Sequence, residues 1–213
     1  TPSCGCIFYK ISKHVGRVRT TAEYIVSGFE KISSDLDFLM GCLREVLCEL
    51  GQEEVAVRLP WIGTEDGLNR YDGYDFIVYS NDPFNENSLS HNLVQTIFRD
   101  SDDILWIGTY RGLNRFDPRT KSNTRFTHDP NDQASLSNDI VTAVCRDAGG
   151  RLWAGTLDGL NVLDEPSGKF KRYRDAEDGR GALPNDTVRS LHRTKDGSLW
   201  VGTYGWLLRY EAA

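Results

Sequence analysis

A chain of 213 residues, 39% hydrophobic and 26% charged, has the composition of soluble globular protein and is long enough to bury a sizeable core. Its formal net charge of −6 argues against a nucleic-acid partner, because affinity for a phosphate backbone comes from clustered lysines and arginines that release counterions. No run reaches the roughly 18 apolar residues of a bilayer span, and Thr1 to Thr21 lacks the apolar centre of a signal peptide, so any membrane link is expected through missing parts of a parent protein.

The first 58 residues read as a helical segment whose role the sequence does not reveal. From Thr21 to Leu50, apolar residues fall at Ile25, Phe29, Ile32, Leu36, Leu39, Leu43, Val46 and Leu50, in alternating steps of four and three, which is a heptad seam. Ser33-Ser34-Asp35 could cap a second helix within it, and Gly51 is a plausible C-terminal stop. Such a seam can serve a dimer partner, but Phe38 and Cys42 widen the apolar stripe and favour packing against a domain. Cysteines 4, 6, 42, 48 and 145 are odd in number and mark no disulfide framework. Cys4-Gly-Cys6 lacks the spacing and second ligand pair of a tetrahedral zinc site, so no metal and no cofactor is expected.

From residue 59 the chain repeats itself. Pro60-Trp61-Ile62-Gly63-Thr64 returns as Leu105-Trp106-Ile107-Gly108-Thr109, Leu152-Trp153-Ala154-Gly155-Thr156 and Leu199-Trp200-Val201-Gly202-Thr203, with the tryptophans 45, 47 and 47 residues apart. Gly67-Leu68-Asn69, Gly112-Leu113-Asn114 and Gly159-Leu160-Asn161 follow, and later Phe76 to Tyr79, Thr124 to Thr127 and Phe170 to Tyr173. Before the next tryptophan lies a β-rich run, Leu93 to Arg99, Ile140 to Arg146 or Thr187 to Arg193. Each unit thus holds four short strands separated by Gly, Asp, Asn and Pro turns, the content of one propeller blade. The spacing predicts a mainly β chain: residues 59–213 form a partial β-propeller of three to four blades, and residues 1–58 an α-helical segment. Within it, 59–79 is partial, 93–128 and 140–174 are full and 187–213 is partial.

The pattern L-W-[I/A/V]-G-T-x-x-G-L-N-x-x-D, with F-x-x-Y and a Ser-Leu-Ser-Asn loop after it, resembles the two-component regulator propeller repeat over about residues 59 to 213. The resemblance implies an extracytoplasmic or periplasmic propeller of a bacterial signalling receptor. Such a module detects a small molecule or oligosaccharide and passes the signal across a membrane to kinase or cyclase domains that this sequence lacks. It also implies that these blades are an arc cut from a larger ring.

No H-E-x-x-H, G-x-S-x-G, phosphate-cradling or EF-hand pattern is present, so the expectation is binding without turnover and no catalytic residue. The recurring tryptophans are expected to fill one repeated slot between blades, and Asn92, Asn138 and Asn185 to satisfy backbone groups where the innermost strand begins. A ligand site on a pseudo-symmetric ring must break the repeat, which directs attention to positions that differ between copies. The hairpin after Gly-Thr offers Glu65, Asp66, Tyr110, Arg111, Leu157, Asp158 and Tyr204, whose aromatic faces, guanidinium and carboxylates suit sugar or peptide recognition. The alternatives are a protein–protein interaction scaffold and, less favoured by the sequence, a propeller lyase or glycosidase.

Overall fold

The computed structural model describes residues 7–15, 18–26, 61–71, 75–100, 103–175 and 183–210. The chain divides into two compact units, Thr1–Pro60 and Trp61–Ala213.

In the first unit, β1 (Ile7–Val15) and β2 (Val18–Val26) form an antiparallel hairpin whose register runs from Ile7↔Val26 to Val15↔Val18. This corrects part of the helix expected from Thr21, because Thr21 to Val26 is strand. The reason is composition: Val18, Thr20, Thr21, Tyr24, Ile25 and Val26 are β-branched or aromatic, and so suit a pleated ladder better than a helix turn. The rest of the expected helix, from residue 27 to its stop at Gly51, lies outside the described residues. Among those that are described there is no α-helix.

The second unit is a series of four antiparallel sheets, each a meander in chain order. The first contains β3 (Trp61–Gly63), β4 (Leu68–Tyr71) and β5 (Phe76–Tyr79). The second has four strands, β6 (Val94–Arg99), β7 (Leu105–Thr109), β8 (Gly112–Asp117) and β9 (Ser122–Phe126). The third repeats it with β10 (Val141–Arg146), β11 (Leu152–Thr156), β12 (Gly159–Asp164) and β13 (Lys169–Tyr173). The fourth has β14 (Val188–Arg193), β15 (Leu199–Thr203) and β16 (Trp206–Tyr210). These are propeller blades, and the strands β6, β10 and β14 share a bulge one residue after their start, at Val94/Thr96, Val141/Ala143 and Val188/Ser190.

Alternation along each strand sends side chains to two different cores, one on each side of the blade. Leu105 and Phe116 pack back against the first blade with Leu68 and Leu89, whereas Trp106 and Leu113 pack forward against Val144, Leu152, Leu163 and Phe170 of the third. Trp153 and Leu160 repeat the forward contact against Val188, Leu199 and Val201 of the fourth. Trp106 and Trp153 are each 1% exposed, as a slot between blades requires. The glycine two residues after each tryptophan has its own reason. A Cβ on Gly155 would stand 2.4 Å from Val188 Cγ1, so the inner strand of the next blade can approach only because that position is bare.

Each buried indole still has a polar tip to satisfy. Trp106 Nε1 donates to Asp100 Oδ2 at 3.0 Å and Trp153 Nε1 to Asp147 Oδ2 at 2.9 Å. Burial acts to raise the Asp147 carboxyl, but the hydrogen bonds from Trp153 and Arg151 outweigh it and hold the group below its usual range. A folded pKa below the unfolded one contributes stability that is fully present above the unfolded value, about 4, and is lost as pH falls through the folded one. Asp147→Asn keeps an acceptor for the indole and is expected to lower stability at pH 7 by about 1–2 kcal/mol while flattening the decline below about pH 4. Urea melts at pH 7 and pH 3 check this, and an unchanged acid slope in the variant would rule it out.

Candidate functional site

The meander fixes which loops share an end of the blade. An inner strand begins beside the hairpin that joins the second and third strands of its own blade: Tyr110 N donates to Leu93 O, Leu157 N to Ile140 O and Tyr204 N to Thr187 O. That end therefore carries the second-to-third-strand hairpins together with the loops that enter each inner strand. The opposite end carries the first-to-second and third-to-fourth hairpins.

Repeated polar residues build the first end. Thr109 Oγ1 donates to Gly112 O and accepts from Arg111 N, closing the hairpin, and Thr156 does the same with Gly159 O and Asp158 N. Ser90 Oγ lies 2.9 Å from Thr109 Oγ1 and accepts from Asn114 Nδ2, with Ser137, Thr156 and Asn161 in matching roles. Asn114 and Asn161 are fully buried, so the asparagine of the Gly-Leu-Asn motif is a structural brace. Arg125 and Arg172, from the outer strands, grip the preceding loops through the carbonyls of Ser88 and Ser135.

The loops entering the inner strands need a register one residue different from the one read in the sequence. His91, Asn138 and Asn185 are equivalent, each accepting from the backbone N–H two residues on. Asn92 aligns instead with Asp139 and Asp186, each of which reaches back to a backbone N–H in the loop before it. The expected service to backbone groups is present at both positions. Equating Asn92 with Asn138 followed residue identity where geometry follows position.

On this frame stand the candidates. Glu65 and Asp66 are exposed at the first hairpin, where Asp66 N donates to Thr64 Oγ1. Tyr110 is 40% exposed and lies over His91, with the ring centroids 6.3 Å apart and the planes 29° from parallel; Arg111 beside it is exposed. Leu157 and Asp158 are half-buried, and the Asp158 carboxylate is held by Arg174 at 2.6 Å. Tyr204 is 69% exposed. The fold brings all these hairpins to one end, yet among the described residues no hydrogen bond, ion pair or ring contact joins the candidates of one hairpin to those of another.

The fourth hairpin departs from the others in a way the sequence reading passed over. Pro184 and Leu208 occupy the places of the bracing serine and asparagine, and Thr203 Oγ1 is buried without a hydrogen-bond partner among the described residues. Trp206 and Leu207 are 63% and 67% exposed next to Tyr204. The signal was available, since the glycine of Gly-Leu-Asn has become Trp206. Away from these hairpins, a cavity of about 250 Å³ lies under the loop before the second blade, and one of about 290 Å³ at the opposite end of the inner strands. No cluster of three or more His, Cys, Asp or Glu that could hold a metal occurs among the described residues.

Fold and hairpins together define a series of β-propeller blades that displays variable side chains on a constant scaffold. Residues 88–111, 135–158 and 182–205 match the two component regulator propeller family, and these three segments are repeats of it. Among solved structures the chain is similar to the extracellular domain of a putative hybrid two component system from B. thetaiotaomicron, at 30% identity and a TM-score of 0.61, covering 70% of this chain and 21% of that one. A second such domain from B. thetaiotaomicron is similar at 19% identity and a TM-score of 0.42, covering 72% of this chain and 26% of that one. Virginiamycin B lyase from Staphylococcus aureus is similar at 14% identity and a TM-score of 0.48, covering 71% of this chain and 51% of that one. The last two superpose too loosely to bear on function. This chain therefore spans about a fifth to a quarter of the two extracellular domains it resembles. No curated protein matches it.

Proposed function

We propose that this chain is part of an extracytoplasmic sensing propeller of a bacterial signal-transduction receptor, binding a small molecule or oligosaccharide without turning it over. The observation that carries this reading is the placement of the symmetry-breaking side chains. The hairpin positions held by Tyr110, Arg111, Asp158 and Tyr204 vary across the four blades, lie at one end, and leave Tyr110 and Tyr204 open to solvent. Aromatic faces and a guanidinium concentrate binding energy without needing a deep pocket. The family of the blades and the likeness to extracellular domains of hybrid two-component systems support the location and the signalling role.

The test is a calorimetric screen of oligosaccharides against the chain and its rim variants. Tyr110→Ala and Arg111→Ala are each expected to weaken binding by about 1–2 kcal/mol with unchanged melting. Arg119→Ala is the control, because Arg119 pairs with Asp117 in a hairpin at the other end. Equal losses from the control, or none from the rim variants, would move the site elsewhere and favour an interaction scaffold.

A further inference from the structure

The second and third blades solve the same electrostatic problem differently, and the difference leaves one arginine with unused donors. Arg99, Arg146 and Arg193 end the inner strands of successive blades at intervals of 47 residues. Arg146 reaches back to the second blade and is fully engaged. Its Nε donates to Asp100 Oδ1 at 2.8 Å, its Nη2 to Asp100 Oδ2, and its Nη1 to Gly150 O and, at 2.7 Å, to Glu165 Oε1. By the repeat, Arg193 should grip Asp147 as Arg146 grips Asp100.

It does not, because Arg151 has taken that carboxylate. Arg151 stands where the second blade has the buried Ile104. Its Nε donates to Asp147 Oδ2 at 2.7 Å and its backbone N to Oδ1 at 2.9 Å, while the Trp153 indole fills a further site on Oδ2. The Arg151 guanidinium also lies 5.6 Å from the Trp153 ring centroid and 5.7 Å from that of Tyr210, which hold it in place. The one side-chain hydrogen bond of Arg193 among the described residues is a 3.3 Å contact from Nη1 to Asp147 O. A guanidinium carries five N–H donors, so most of this one is unspent among the described residues.

Arg193 opens on the cavity of about 290 Å³ at the end of the inner strands. Phe98, Val144 and Leu191 give it an apolar lining, and Cys145 and His192 complete it beside the arginines. Burial pushes the Cys145 thiol up, so no thiolate opposes an anion there. Glu165, the carboxylate nearest to Arg146 on its own blade, is already paired with it. We propose that this cavity is a second ligand site, distinct from and independent of the hairpin end, that takes a small organic anion with its carboxylate on Arg193 and its apolar body against Phe98, Val144 and Leu191. A carboxylate matches the planar fork of a guanidinium in bidentate geometry.

Benzoate is the probe, titrated into the full chain at constant ionic strength and followed by NMR, with benzyl alcohol and inorganic phosphate as separate arms. Benzoate is expected to bind about tenfold more tightly than either, since each lacks one half of the match. Arg193→Gln is expected to weaken benzoate about tenfold, whereas Arg99→Gln, at the equivalent place in the second blade, leaves it unchanged. The decisive variant is Arg151→Ile, which frees the Asp147 carboxylate to pair with Arg193 and is also expected to weaken benzoate about tenfold without touching the cavity. Adding Asp147→Asn to Arg151→Ile removes the competing carboxylate and restores binding, which separates competition from simple loss of fold. Benzyl alcohol or phosphate binding as well as benzoate, Arg193→Gln binding like the parent chain, or a double variant as weak as Arg151→Ile would each overturn the proposal.

Discussion

Trp153→Ala is expected to cost about 3–5 kcal/mol, a large share of the roughly 5–15 kcal/mol that holds a domain together. The indole is 1% exposed and packs with Leu160, Leu183, Val188, Leu199 and Val201 across the third and fourth blades. Tyr173 is stacked at 5.6 Å and Tyr210 tilted at 4.9 Å, so three aromatic rings and the Arg151 guanidinium share one contact. Truncation leaves a hole between two sheets that cannot close independently, and it removes the donor from Asp147, whose carboxylate side chain is 1% exposed. Trp200→Ala is the comparison, because Trp200 holds the same place in the fourth blade but is only half-buried, and its cost should be about 1 kcal/mol or less. Urea melts of the two variants decide the matter: coincident curves for Trp153→Ala and the parent chain would refute the slot between blades.

The same residues show why so much of the fold could be read from the sequence. A tryptophan recurring every 45 to 47 residues holds the same place in each blade, so repetition alone pointed to its packing role, fulfilled by Trp106 and Trp153 while Trp61 and Trp200 are only half-buried, and the strands around it followed from alternation and turn residues. The partners of Arg151 were not legible in that way. A capture of Asp147 by a neighbour four residues on is visible only when side-chain directions are known, and it appears where the repeat is broken. The hairpin between β1 and β2 was missed for a different reason. Ile25 fits a heptad seam and a strand equally well, and the β-branched run before it favours the strand. At the candidate site the sequence indicated which hairpins vary. It did not indicate that Asp158 is tied to Arg174, nor that Trp206 and Leu207 lie open beside Tyr204, because both depend on which outer strand stands alongside.

Gly112→Ala is expected to cost about 2–4 kcal/mol, although it adds one methyl group at the edge of a hairpin. Two independent constraints meet there. The backbone has φ of +112°, which L side chains rarely adopt, and a Cβ would stand 2.3 Å from Phe126 O on the outer strand. The chain cannot slide away to relieve the contact. Gly112 pairs with Thr109 in the ladder, and its N–H donates to Asp139 O at 2.7 Å in the loop entering the next blade. Gly67 and Gly159 hold the same place, with Cβ positions 2.3 and 2.9 Å from Tyr79 O and Tyr173 O. The fourth blade shows the alternative: Trp206 pairs with Thr203 without a positive φ, and the turn is carried instead by Gly205, at +87° with nothing within 4 Å of its Cβ position. Gly205→Ala therefore carries the backbone penalty alone, about 1 kcal/mol. Denaturant melts of the two variants separate the terms, and a Gly112→Ala chain no less stable than Gly205→Ala would show that the outer-strand carbonyl yields to a side chain after all.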